Sequence, residues 1–384
     1  MTSRWRILGG AAAAALVAGL VIGSAPGGRK PGTAPASASW TTILKSTLPI
    51  EGLTGDDAGN LYVAARGGAA GCPVWRVDSA GSANQAPVTV GSLAPPCSPS
   101  GITFGRDGRL YITGFGGAGD QIGVLAPNAT TPPVATVFAT GTPGANGLAF
   151  DGAGNLYASD GGTNQGRVFR VGPAGGAAAE LFRVPPMANS VGVGRVNSTL
   201  QPPLAASPQN IVANGLAFAN DGALLVADTA RGALWRVDLA ADGSVHTSTG
   251  CDTTYTPNTL CLDALFVQHP ALDGADGIAL DRAGDVWVDA NERNAIAVVD
   301  KQGRVGEFFR NAPGAGSLRN GGPLEFPTSP FLDDRTLCTT SSDGNRRDNS
   351  PNSAGEVGPG TGFAGKISCL DARLQVPGLP LPVK

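Results

Sequence analysis

The chain has 384 residues, a formal net charge of −3, 15% charged residues, and no recurring cluster of Lys or Arg. That balance excludes a surface built to track a phosphate backbone, so no nucleic-acid partner is expected. Its 57 Gly and 30 Pro stand at turns between short apolar runs, so the chain is expected to fold rather than behave as low-complexity sequence.

Residues 1–25 carry Arg4 and Arg6 and then an apolar run from Ile7 to Ile22, the layout of a secretory signal. The run is short beside the roughly 20 residues of a membrane span. The alternative is an uncleaved N-terminal anchor, the one route by which a membrane enters the reading. Residues 26–39 read as a flexible tether and residues 40–384 as the folded unit. The expected location is secreted or extracytoplasmic.

Six copies of one unit follow, beginning at Glu51, Ser100, Asn146, Asn214, Asp276 and Ser329. The clearest is Asn214 to Asp238, NGLAFANDGALLVADTARGALWRVD. Its apolar runs Gly215–Ala219, Leu224–Ala227 and Ala233–Asp238 predict three strands, and Asn220-Asp221-Gly222 and Asp228–Gly232 predict the turns between them. Such a meander cannot bury both faces alone. Copies at propeller-blade spacing, punctuated by Gly, Pro, Asn and Asp and without an amphipathic helix, predict an all-β six-bladed β-propeller. The strand Trp40 to Leu44 is placed to close the ring on the last blade and remove its exposed edge. The insertions Pro185–Val212 and Ser244–Ala275 read either as walls of a pocket or as surface excursions.

Six cysteines in an exported chain suggest disulfides. Their connectivity stays open, with nearest neighbours offering Cys72–Cys97, Cys251–Cys261 and Cys338–Cys369. No C-x-x-C motif is present to favour zinc or redox chemistry.

The residue immediately before each inner strand carries the chemical signal. Equivalent positions of successive blades form a ring around the channel mouth, and here that ring is Glu51, Ser100, Asn146, Asn214, Asp276 and Ser329. Two carboxylates and two amide carbonyls are hard oxygen donors suited to Ca²⁺, with another divalent cation such as magnesium or manganese as the alternative. Zinc would call for His or Cys, and the chain has only His246 and His269 as histidines. Against this stands a plain reading in which Asn and Asp before Gly serve turn geometry.

The same residues resemble the senescence-marker-protein/gluconolactonase (regucalcin-like) family, and more distantly the paraoxonases. Glu51-Gly52 matches the motif that opens that family's first blade, and Asn146 matches its third-blade Asn. Asn214 to Gly222 matches Asn-Gly-Leu-x-x-x-x-Asp-Gly, and Asp276 to Gly284 matches Asp-Gly-[Met/Ile]-x-x-Asp-x-x-Gly. Pro327-Thr328-Ser329 echoes a Pro-Thr-Asn signature with Ser in place of Asn. The resemblance implies a metal-dependent hydrolase of lactones or related esters. Glu51, Asn214 and Asp276 would hold the cation, with Asn146 as a fourth ligand or a substrate contact. Glu51 and Asp276 would be the catalytic pair, the second as general base or nucleophile. Gly144 stands where sugar lactonases of the family carry an Arg, and Leu53-Thr54-Gly55 stands in place of Pro-x-Trp. Loss of the Arg removes a donor for substrate hydroxyls and sets a less polar ester or lactone beside a sugar acid lactone.

His269, in the loop leading to Asp276, reads as a substrate-side proton shuttle or as a solvated loop residue. Asp160, Asp228 and Asp289 follow the second strands, where they face the mouth or cap turns. Trp75, Trp235 and Trp287 read as packing between blades. A non-catalytic calcium-stabilised propeller that binds a small ligand or protein is the alternative from a different functional class.

Overall fold

The computed structural model describes residues 39–116, 119–186, 211–310, 323–333, 336–342 and 364–371. The leader, all but the last residue of the tether, and most of the 185–212 insertion lie outside those residues. Six sheets of at least four strands, antiparallel except where Gly176–Ala177 adds in parallel to Thr136–Thr140, stand around one axis, which is the predicted propeller. Their inner strands are Thr54–Gly55, Ile102–Phe104, Ala145–Phe150, Leu216–Phe218, Ala275–Leu280 and Pro327–Asp333, each just after or across a ring residue. No helix among the described residues is long and apolar enough to cross a membrane.

Six apolar clusters fill the six gaps between neighbouring blades. This is why the second and third strands of blade five, Val286–Ala290 and Ala295–Val299, are buried at every position: a blade's two faces are both covered, one by each neighbour. One aromatic contact repeats across three gaps. Tyr62 meets Phe104, Tyr111 meets Phe150 and Tyr157 meets Phe218, edge to face with ring centroids 5.0, 4.9 and 5.1 Å apart. Each tyrosine hydroxyl donates to an aspartate of its own blade's first turn, Asp56 at 2.7 Å, Asp107 at 2.8 Å and Asp151 at 3.2 Å. Trp287 Nε1 does the same to Asp281 at 3.2 Å. Burial, reinforced by Asp107, raises the Tyr111 hydroxyl to about 12, so it stays a donor. The Asp/Gly turns of the repeat are thereby tied to the aromatic that follows them.

The ring is closed as the sequence suggested. Trp40–Ser46 pairs antiparallel with the C-terminal strand Gly365–Asp371, making the outer strand of blade six. The nearest-neighbour disulfides Cys72–Cys97, Cys251–Cys261 and Cys338–Cys369 are all formed, the last between directly paired residues of adjacent strands. The Ser244–Ala275 segment is more than an insertion. It supplies Leu265–Gln268, the fourth strand of blade four, and carries the Cys251–Cys261 staple.

The glycine after each of the first five ring residues has a reason that turn geometry does not give. A Cβ on Gly147 would lie 2.3 Å from the carbonyl oxygen of Asn214, and one on Gly215 would lie 2.4 Å from that of Asp276. Gly52, Gly101 and Gly277 meet the carbonyls of Ser100, Asn146 and Thr328 in the same way. None of the five has positive φ, so these glycines are required by the close approach of one inner strand to the next. The plain turn reading of the Asn-Gly and Asp-Gly pairs is therefore replaced by a packing one.

Candidate functional site

In blades three, five and six the ring positions fall at register shifts between the first two strands, between Ala145 and Leu148, between Ala275 and Ile278, and between Pro327 and Ser329. Such bulges re-aim a side chain out of the sheet's alternation. Asn146, Asn214, Asp276 and Ser329 line one cavity at the end of the channel where the inner strands begin. Its floor is an apolar collar of one residue per blade, Leu53, Ile102, Leu148, Leu216, Ile278 and Pro330. Below the collar the channel is apolar and walled by Phe104, Phe150, Phe218 and Phe331. The polar end is thus a shallow bowl over a greasy plug.

Glu51 joins this group through Asn146, whose Nδ2 donates to Glu51 Oε1 at 3.2 Å. Its backbone carbonyl accepts from the hydroxyls of Thr328, at 2.9 Å, and Thr340, so blade six fixes the start of blade one. Asn214 is 2% exposed and its Nδ2 donates to Thr229 Oγ1 at 3.0 Å. Thr229 in turn donates to the carbonyl of Ala275 at 2.6 Å. With its NH₂ committed to Thr229, the Asn214 amide presents its carbonyl oxygen on the opposite side. Asp276 is 5% exposed, and Asn291 Nδ2 donates to its Oδ2 at 2.8 Å.

Three residues here carried no signal in the sequence reading: Thr229 and Asn291, which orient the amide and the carboxylate, and Arg66. The Arg66 guanidinium is ion-paired with Glu51 Oε2. Its Nη2 also donates to Ser100 Oγ at 3.0 Å and its Nε to the Pro99 carbonyl at 3.0 Å. Arg66 stands beyond the second strand of blade one, Asn60–Ala64, outside any motif.

His269 is exposed, and its Nδ1 accepts from Ala271 N at 3.0 Å to cap a short 3₁₀ turn. It does not line the bowl. Asp160 and Asp228 are turn caps. Asp160 accepts from Thr163 N at 2.8 Å and Arg167 Nε at 2.7 Å. Asp228 accepts from Arg231 N at 2.9 Å, Arg231 Nη1 at 2.7 Å and Trp235 Nε1 at 2.9 Å. Burial raises the Asp228 carboxyl, opposed by Arg231 and Trp235. Asp289 differs from both. It is completely buried, its Oδ2 lies 2.6 Å from Thr339 Oγ1, and its Oδ1 has no hydrogen-bond partner among the described residues. Burial pushes its carboxyl well above the usual carboxylate range, against a smaller opposing effect of Thr339.

The donor set at the mouth is made of oxygens, two of them carboxylate side chains and two amides. Among the described residues no three His, Cys, Asp or Glu side chains gather to hold a metal, so a cation here would depend on the amides as well. The set fits a hard divalent ion in charge and donor chemistry, with the Arg66 charge competing for Glu51.

Residues 145–310, from the inner strand of blade three to the outer strand of blade five, match the family model described as SMP-30/Gluconolactonase/LRE-like region. No curated protein matches the chain. Among solved structures, a luciferin-regenerating enzyme aligns over 89% of this chain and 98% of its own, at 15% identity and a TM-score of 0.56. A structural-genomics target described provisionally as a gluconolactonase aligns over 90% and 95%, at 17% identity and a TM-score of 0.55. A calcium-binding regucalcin from Agrobacterium tumefaciens aligns over 89% and 95%, at 17% identity and a TM-score of 0.54. At such identities these likenesses establish the shared propeller fold. Residues 145–310 are thus similar to the SMP-30/gluconolactonase/LRE-like region, and they sit within a six-bladed β-propeller whose other blades complete the ring.

Proposed function

We propose that this chain is an exported hydrolase of lactones or related esters that works with a divalent cation, calcium first, held at the channel mouth. One observation carries the reading: Asn146, Asn214 and Asp276, from three different blades, line one oxygen-rich bowl closed below by an apolar collar, and Glu51 of a fourth blade is joined to it through Asn146. Similarity to the family model over blades three to five supports the hydrolytic class, and three disulfides suit an exported chain.

Glu51, Asn214 and Asp276 would hold the cation, with Asn146 as a fourth donor or a substrate contact. The cation, when bound, supplies Lewis-acid polarisation of the substrate carbonyl. Asn291 fixes the Asp276 carboxylate plane, so that carboxylate can take a proton from an attacking water without rotating away. Thr229 does the corresponding work for Asn214, and the collar bars bulk water from the far end of the channel. Gly144 leaves no room for the Arg: a Cβ there would lie 2.4 Å from Asp160 Oδ1. This side of the bowl suits less hydroxylated substrates.

The test is initial hydrolysis rates of the purified chain on lactones, aryl esters and phosphotriesters, with calcium and with chelator, beside Glu51→Gln and Asp276→Asn. Calcium-dependent turnover, reduced at least about a hundredfold in both variants, is expected. A folded protein that binds calcium and turns over no substrate would instead be a ligand-binding propeller. Asp276→Asn that melts lower yet keeps full activity would reduce the cation to a structural role.

A further inference from the structure

We infer that Arg66 is a tethered counter-cation that occupies Glu51 in the cation-free protein and is released toward the mouth on cation binding, so that the loaded site selects esters or lactones bearing an anionic group. The inference rests on the reading of the mouth as a cation site and adds its substrate class.

The geometry is specific. Glu51 has one carboxylate oxygen on Asn146 Nδ2 and the other on Arg66, so both are engaged by donors. A divalent ion that recruits Glu51 must take an oxygen from one of them. Asn146 is neutral and can turn its own carbonyl inward. Arg66 cannot: it offers only donors and a like charge. The cation therefore meets its strongest electrostatic opposition from the guanidinium, and displacement of that group is the low-energy outcome.

Arg66 is not lost to the site when displaced. Nε on the Pro99 carbonyl anchors the head of the side chain at the rim, and Nη2 also reaches Ser100 Oγ. Its side chain is 25% exposed, against 12% for Glu51, so it borders open solvent while its partner sits deeper. Once Glu51 is neutralised by the cation, the guanidinium is left at the rim with two neutral acceptors and no anion. A carboxylate on the substrate supplies that missing charge.

The test is calorimetric titration of calcium into chelator-stripped full-length protein, wild type beside Arg66→Gln and Glu51→Gln, followed by titration of benzoate into the calcium-loaded forms. Arg66→Gln is expected to tighten calcium about tenfold and to weaken benzoate about tenfold. Opposite signs from one substitution are not what general loosening of the mouth would give, since that weakens both. Calcium affinity unchanged or weaker in Arg66→Gln, with wild type binding well, overturns the inference and leaves the cation site standing. No calcium heat from wild type or variant overturns both. If Arg66→Gln does not fold, Arg66→Lys keeps the charge but not the fork that spans Pro99, Ser100 and Glu51. It is expected to tighten calcium by a smaller factor while retaining benzoate, and a calcium affinity equal to wild type there overturns the inference.

Discussion

Gly215→Ala puts the packing account of the ring to a direct test. The new methyl would sit 2.4 Å from the Asp276 carbonyl oxygen, and 2.8 Å from both Gly277 Cα and Ile278 N. All three are backbone atoms that cannot swing aside, and carbon contacts are comfortable only near 3.5 Å. Blades four and five must separate by about 1 Å at their inner edges, an overpacking cost of about 1–3 kcal/mol. The Gly215 N–H to Asp276 C=O bond of 3.0 Å stretches with them and forfeits about 1 kcal/mol more. Together these give about 2–4 kcal/mol, a fall of roughly 3–6 °C in Tm for a chain of this size. Because Asp276 moves, calcium affinity should fall as well. Gly172→Ala is the control: its φ is ordinary and nothing lies within 4 Å of its Cβ, so it should be neutral or stabilise by about 0.4–1 kcal/mol. Thermal and urea unfolding by circular dichroism read both. If Gly215→Ala melts with wild type, close approach is not why glycine stands there.

Two further perturbations bear on buried groups near the ring. Burial raises the Asp289 carboxyl in the folded protein, so the fold binds that proton more tightly than the unfolded chain does. Stability from this site is therefore complete below the unfolded value of about 4 and is lost as pH rises toward and through the folded value. Asp289→Asn does not titrate: its melting curve should overlay wild type near about pH 4 and lie progressively above it toward about pH 8, and parallel curves across that range would refute the account. Thr229→Val removes the acceptor of Asn214 Nδ2 and the donor to Ala275 O. It should cost about 1–3 kcal/mol in urea unfolding and, with the Asn214 amide free to turn, weaken calcium about tenfold by calorimetry. Unaltered calcium affinity would show that Thr229 does not orient Asn214.

The elements that repeat were legible in the sequence, because a propeller writes each local interaction several times. The Asp/Gly turns, the ring residues and the six inner strands recur at matching places, and the three disulfides join neighbours in sequence. Interactions that occur once were not. Arg66 reaches Glu51 across the rim from beyond the second strand, a contact no periodicity announces. Asn291 and Thr229 act on partners 15 residues away in sequence, within a blade but outside its pattern. The Gly of each ring pair was visible, yet its cause was not: close approach between blades is a fact of three dimensions, and in sequence it is indistinguishable from a turn. Trp235 and Trp287 pack between blades, as their sequence positions suggest. Their Nε1 donors on Asp228 and Asp281 add a bond that holds a turn.

The seam of blade six couples the ends of the chain in time as well as in space. Among the described residues, Trp40–Ser46 is the first strand to emerge from the ribosome, while its sheet partner, Gly365–Asp371, is the last. At about 5–20 residues per second the interval is roughly 15–65 seconds. During it the earlier strand offers an unpaired edge to any neighbouring chain, and the five completed blades stand as an open arc. Shutting the ring is therefore the final event of assembly, and a nascent chain interrupted short of residue 371 leaves every earlier blade intact but the circle unclosed.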